Sequence, residues 1–84
     1  MNISFTPNGW ADYQYWLSTD KTTVRRINML IKDCVRSPAD GIGKPEALKH
    51  QLVGYWSRRI TDEHRLIYAV NDGPIVIIAA RHHY

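Results

Sequence analysis

The hydrophobic period of this chain changes once, at a stretch rich in proline and glycine. Before it, Trp10, Tyr13, Trp16 and Leu17, and then Val24, Ile27, Leu30, Ile31, Cys34 and Val35, recur at steps of three and four, the stripe of an amphipathic helix. After "PADGIGKPEALKHQL" the period becomes two. The runs "GYWSRRI", "HRLIYAV" and "IVIIAARHHY" are aromatic and β-branched, and "TDE" and "NDGP" separate them. A helical half followed by a strand half predicts an α+β fold, with two N-terminal helices packed on a small antiparallel β-sheet.

Local signals refine this outline. "NISF" reads as an edge or lead-in strand, and Thr6-Pro7-Asn8-Gly9 as a helix start. "STDK" offers Ser18 or Thr19 as the N-cap of a second helix. That helix should stop near Ser37-Pro38, since the residue before proline avoids helical dihedrals. The loop that follows is expected to hold one helical turn around Glu46 to Lys49.

Eighty-four residues are expected to form one domain, residues 1–84, near the lower size limit for a self-sufficient core. An apolar fraction of 44% argues for a packed interior rather than a disordered tail. The formal net charge of +3 is a mild bias toward polyanionic partners. Cys34 is the single cysteine, so an intrachain disulfide is excluded and a reducing cytoplasm is the expected location. "MNISFTPNGW" has no basic segment followed by an apolar run, and no stretch reaches the ~20 apolar residues that span a bilayer.

"TDE" makes Ile60 and His64 neighbours, and antiparallel pairing then sets Arg59 opposite Arg65. Like charges directly opposite are destabilising, so an anion or one of the protein's own acids is expected between them. A three-residue "DGP" loop would pair Asn71 with Ile75, bring Arg81 opposite Arg65 and put His83 on the same face. A loop one residue longer reverses that face, and periodicity leaves the choice open.

Glu46, Lys49, Arg59, Arg65, His83 and Tyr84 supply one carboxylate, one imidazole, several fixed cations and an aromatic ring. Those groups suffice to cleave RNA without a metal or other cofactor. Glu46 can take the proton of a ribose 2′-OH, His83 can protonate the leaving 5′-oxygen, and Arg65 can stabilise charge on phosphorus. Tyr84 can stack on a base or orient the phosphate. A metal site built on His82 and His83 is disfavoured, because adjacent strand residues point to opposite faces. Cys34 lies on the apolar helical stripe and reads as core filling rather than as a nucleophile. Each site residue also has a plain reading: Glu46 and Lys49 as a surface helical pair, Arg59 and Arg65 as solvated or paired with Asp62 and Glu63, and His83-Tyr84 as a frayed terminus. A non-catalytic basic module that binds RNA or an acidic protein is the alternative these readings leave.

"GKPEALKH", "GYWSRRITDEHRLIYAV" and "AARHHY", in that order, resemble the YoeB-type (Txe/YoeB) toxins of the RelE superfamily. "WADYQYW" and "INMLIKD" extend the likeness over essentially the whole chain. The resemblance implies a microbial-RNase-like fold and a type II toxin that acts as a ribosome-dependent mRNA endonuclease. Glu46 would be its general base, His83 its general acid and Arg65 its phosphate-stabilising arginine. Lys49, Arg59 and Tyr84 would bind or orient the RNA. The products implied are a 2′,3′-cyclic phosphate and a 5′-hydroxyl. Implied partners are a YefM-like antitoxin, the 70S ribosome with its mRNA, operator DNA reached only through the antitoxin, and a second copy in a homodimer. The resemblance also selects the register that puts His83 with the arginines.

Overall fold

A computed structural model describes residues 2–70 and 73–82; His83, Tyr84 and the expected Asn71 pairing lie outside it. The elements run β1 (Ile3–Phe5), α1 (Pro7–Thr19), α2 (Lys21–Arg36), β2 (Glu46–Ala47), a 3-10 turn (His50–Leu52), β3 (Tyr55–Arg59), β4 (Arg65–Val70) and β5 (Ile75–Ala79). The sheet order is β1-β5-β4-β3-β2. The three-stranded meander is present, and a short strand extends it at each edge. β2 joins β3 antiparallel, whereas β1 pairs with β5 in parallel and makes the sheet mixed.

Both helices start and stop on side-chain chemistry. The Thr6 hydroxyl accepts from Gly9 N–H, with Pro7 at the first helical position, where its missing N–H costs nothing. A side chain on Gly9 would overlap the Ile77 carbonyl oxygen, so glycine is what lets α1 lie this close to β5. The N-cap of α2 is Asp20, not Ser18 or Thr19, which continue α1. Its carboxylate accepts from the Thr22 and Thr23 N–H groups and from the Thr23 hydroxyl, and those hydrogen bonds, the hydroxyl's first, lower its pKa. α2 ends at Arg36, ahead of Ser37-Pro38, as expected.

One face of the sheet carries the core. Trp16, Val24, Ile27, Leu30, Ile31 and Cys34 of the helices pack on Leu66, Tyr68, Ile75, Ile77 and Ala80. Each fully buried aliphatic side chain contributes about 1.5–3 kcal/mol relative to exposure. Cys34 is fully buried and burial raises its pKa, consistent with core filling.

The helical turn expected around Glu46 is absent. Glu46 and Ala47 pair instead with Ser57 and Trp56, and Leu48 N–H continues the ladder to Tyr55 O at 2.9 Å. Arg59 N–H already donates to Gly43 O at 2.6 Å, so the chain enters β2 aligned with β3. Pairing satisfies several backbone groups, where an isolated helical turn would satisfy one.

The third strand departs from the simple register. Ile75 stands opposite Val70, which makes the connection one residue longer than the three-residue loop considered above. An irregularity between Tyr68–Ile77 and Ile67–Ala79 then adds one residue to β5. At Ile67–Ala79 the register is the one the shorter loop would have given, but it does not continue to Arg65, whose N–H meets His82 O. The bulge also explains how Ile77 and Ala80, three apart, both reach the core.

Candidate active site

The face turned away from the helices holds Glu46, Arg59 and Arg65. Arg59 and Arg65 are paired directly across β3 and β4, as "TDE" predicted. Ser57 lies two residues before Arg59, and Glu46 pairs with Ser57. Side chains alternate along strands, so Glu46, Ser57, Arg59 and Arg65 share one face over three adjacent strands. Diagonal neighbours on such a face sit about 7–8 Å apart, within reach of long side chains. Ser57 is buried and forms the floor; Glu46 is exposed, and Arg59 and Arg65 are half-buried.

Arg59 is rooted rather than solvated. Its carbonyl accepts from Arg26 Nη2 at 3.2 Å, and its Nε is buried without a partner among the described residues. No ion pair joins Arg59 or Arg65 to Asp62 or Glu63 among those residues, so the surface-pair reading of the arginines does not hold. Lys49 is exposed and precedes the 3-10 turn, and its helical pairing with Glu46 is lost with the helical turn. Arg81 does not sit across from Arg65 in the paired ladder; its guanidinium lies 3.7 Å from the Tyr15 ring centroid, a cation–π contact with α1. His83 and Tyr84 lie outside the described residues, so their place relative to this face stays an expectation. Among the described residues no three His, Cys, Asp or Glu side chains gather as a metal site would require.

Two supports for this face were missed from sequence. The first is Arg58, fully buried among Asp33 Oδ2, the Tyr68 hydroxyl and the carbonyls of Ser37, Asp40 and Ile42. It binds the 37–42 loop to the sheet just ahead of β2 and Glu46. Burial disfavours its charge, and the hydrogen bonds to Tyr68 and Asp33 outweigh burial and raise its pKa. Asp33 in turn is held well below the usual carboxylate range by Arg36, Ile42 N–H and Arg58. Burial pushes the Tyr68 hydroxyl up to about 12. The signal in the sequence was alternation: Arg58 falls between Trp56 and Ile60 on the inward side of its strand.

The second support fastens the exit of β5. Ala80 N–H donates to Asp12 Oδ2 at 2.9 Å, and Trp16 Nε1 donates to Ala80 O at 2.8 Å. Arg65 N–H donates to His82 O at 2.8 Å, and His82 N–H to His64 Nδ1 at 2.8 Å. Residues 80–82 are thus held from α1 and β4 together. The site therefore combines a carboxylate and two opposed guanidinium groups on a rigid, backbone-tied face, an arrangement suited to gripping a phosphodiester beside a base.

Comparison with known proteins agrees with this fold. Residues 5–84 match the family model of the YoeB-like toxin of bacterial type II toxin-antitoxin system. The chain is 56% identical over 84 residues to toxin YoeB of Escherichia coli K12, covering all of both. A YoeB/ParE toxin from Agrobacterium tumefaciens superposes with a TM-score of 0.98 at 45% identity, again over the whole of both chains. The toxin of a YoeB-YefM complex from Staphylococcus aureus aligns with a TM-score of 0.91 at 48% identity, covering 100% of this chain and 98% of that one.

Proposed function

We propose, from the premise that this chain belongs to the YoeB-like toxin family of bacterial type II toxin–antitoxin systems, that it is a ribosome-dependent mRNA endonuclease. The observation that carries the reading is the sharing of one sheet face by Glu46, Arg59 and Arg65 across β2, β3 and β4. Few structural needs explain two arginines directly opposite one another with a carboxylate diagonal to one of them, Arg59. A phosphodiester with a 2′-OH beside it does.

In this mechanism the Glu46 carboxylate takes the proton from the 2′-OH, and the 2′-oxygen attacks the adjacent phosphorus. The P–O5′ bond breaks as the O2′–P bond forms, and the His83 imidazolium gives its proton to the departing O5′. The products are a 2′,3′-cyclic phosphate and a 5′-hydroxyl, with no water consumed. Arg65 offsets the charge that grows on the non-bridging oxygens. Arg59 and Lys49 bind flanking phosphates, and Tyr84 stacks on or orients the scissile nucleotide. The RNA supplies its own nucleophile, so the residues named account for the chemistry without a metal.

The same premise extends to partners. The similar toxin from Staphylococcus aureus was solved with YefM, which supports a YefM-like antitoxin that neutralises this chain. Contact with operator DNA through that antitoxin, and homodimer formation, follow from the family resemblance. Among the described residues no helix is long and apolar enough to cross a membrane, and the proposed site of action is the translating ribosome in the cytoplasm.

The test is primer extension on an mRNA under translation in a purified system, with wild type, Glu46→Gln and His83→Gln, each with and without ribosomes. Cuts that need ribosomes and both side chains support the reading. Folded wild-type protein that binds RNA in a salt-sensitive way and never cuts it would leave a binding module instead.

A further inference from the structure

His64 carries a role that the cleavage chemistry does not use. Its Nδ1 accepts the His82 backbone N–H at 2.8 Å. A backbone N–H can only donate, so Nδ1 must hold a lone pair and the ring is the neutral Nε2–H tautomer. The ring is fixed before it receives that bond. It meets Trp16 edge-on at 4.9 Å between centroids with 80° between planes. The His64 carbonyl accepts from Ile60 and Thr61 N–H at 2.9 and 3.1 Å, and the His64 N–H donates to Thr61 Oγ1 at 3.1 Å.

The group it holds is unusual. His82 has φ +58, a left-handed backbone that residues with a side chain rarely adopt and keep only where the surroundings enforce it. Here the enforcement is local and complete for the backbone: the N–H goes to His64 and the C=O takes Arg65 N–H at 2.8 Å. One residue earlier, Arg81 leans on Tyr15; one before that, Ala80 is clamped by Asp12 and Trp16. Of these restraints only the His64 bond acts on the N–H of the residue in the left-handed conformation.

We infer that His64 is a positioning residue, whose neutral imidazole fixes the left-handed turn at His82, the residue that leads into the proposed acid His83. The inference rests on the reading that His83 and Tyr84 act on RNA. It makes the "TDEHR" turn part of the proposed machinery: Arg65 would meet the phosphate, and the residue beside it holds the turn that precedes the proposed acid.

The test compares wild type with His64→Phe, which keeps the ring against Trp16 but has no acceptor, and with His64→Asn, whose Oδ1 stands where Nδ1 did. Two quantities are read at about pH 8, where an ordinary histidine is neutral: the exchange rate of the His82 amide in the free protein by NMR, and the rate of mRNA cleavage against ribosome concentration. In His64→Phe the His82 amide should exchange about two- to tenfold faster, the change that loss of one hydrogen bond gives. The maximal cleavage rate should fall by a similar or larger factor, with the half-saturating ribosome concentration unchanged. His64→Asn should restore most of both. If His64→Phe does not fold, His64→Leu, which also has no acceptor, serves as the acceptor-free variant. Unchanged exchange in the acceptor-free variant overturns the inference, as does faster exchange with normal cleavage, or equal losses in the Phe and Asn variants. Wild-type protein that cuts nothing would overturn the endonuclease reading instead, and the exchange rates alone would then decide whether His64 holds the turn.

Discussion

Arg58 and Asp33 form a 2.6 Å salt bridge in which the arginine side chain has no solvent exposure and the carboxylate keeps 16%. The bridge joins α2 to β3, and the same guanidinium satisfies three loop carbonyls and the Tyr68 hydroxyl. Arg58→Met nearly conserves volume but strips all of these partners of their donor. Each buried group left unsatisfied costs ~1–3 kcal/mol, so the loss should reach at least about 3 kcal/mol. For a domain of this size each kcal/mol lowers Tm by ~4–8 °C. Urea unfolding measures it directly, and a loss of a few tenths of a kcal/mol would mean that the arginine is a passenger in the core.

Acid should expose the Asp33 contribution. The Asp33 pKa is depressed in the folded state, chiefly by Arg36, then by Ile42 N–H and Arg58. A depressed carboxylate adds stability that is fully present above its unfolded pKa of about 3.9 and is lost as pH falls through the lower folded value. Wild type should therefore exceed Asp33→Asn in urea midpoint at neutral pH, and the gap should narrow progressively below about pH 4. A gap that stays constant from neutral pH down to acid denaturation would assign the effect to shape, not charge.

Periodicity made the two helices and three main strands legible, because each element buries one face and the others do not interrupt it. The Arg59–Arg65 pairing was legible too, since a short "TDE" connection leaves little freedom in register. Three features were not. Asp20 won the cap because its carboxylate can take two N–H groups at once, a choice that Ser18 and Thr19 blur in sequence. The Glu46 strand depends on an open edge of β3, a nonlocal fact. The extra residue in β5 belongs to the pairing of two strands and leaves no mark in either. In the candidate site the residue types were readable, but the roles of Arg58, Asp12 and His64 were not, because their partners, many of them backbone groups, lie far away in the chain.

Opposed arginines predict a response to anions. With Arg59 across from Arg65 and the Arg59 Nε lacking a partner among the described residues, a phosphate or sulfate between them relieves repulsion and supplies an acceptor. Binding to the folded state alone adds about 1.4 kcal/mol when the anion is at ten times its Kd. Melting temperature should rise with sulfate more than with chloride at matched ionic strength, and Arg59→Gln should abolish the difference. Identical curves in both salts would show that the two guanidinium groups do not form a preformed anion site.

Replacing Arg65 separates grip from chemistry. Its backbone N–H, which ties His82, survives any substitution but proline, so the changes below leave that bond to His82 available. In the proposed mechanism Arg65→Gln removes the positive charge that offsets charge on the phosphate, and loss of one preorganised transition-state donor typically costs ~10²–10³ in kcat. Arg65→Lys keeps the charge but not the planar fork, and should recover only part of the rate. If the proposed mechanism holds, ribosome binding by both variants should stay near wild type, because binding would draw on many cations and the transition state on this one. Single-turnover cleavage with a parallel ribosome-sedimentation assay reads the two terms apart. Equal losses in binding and rate would move Arg65 from the chemistry to docking and leave Glu46 and His83 to cleave without it.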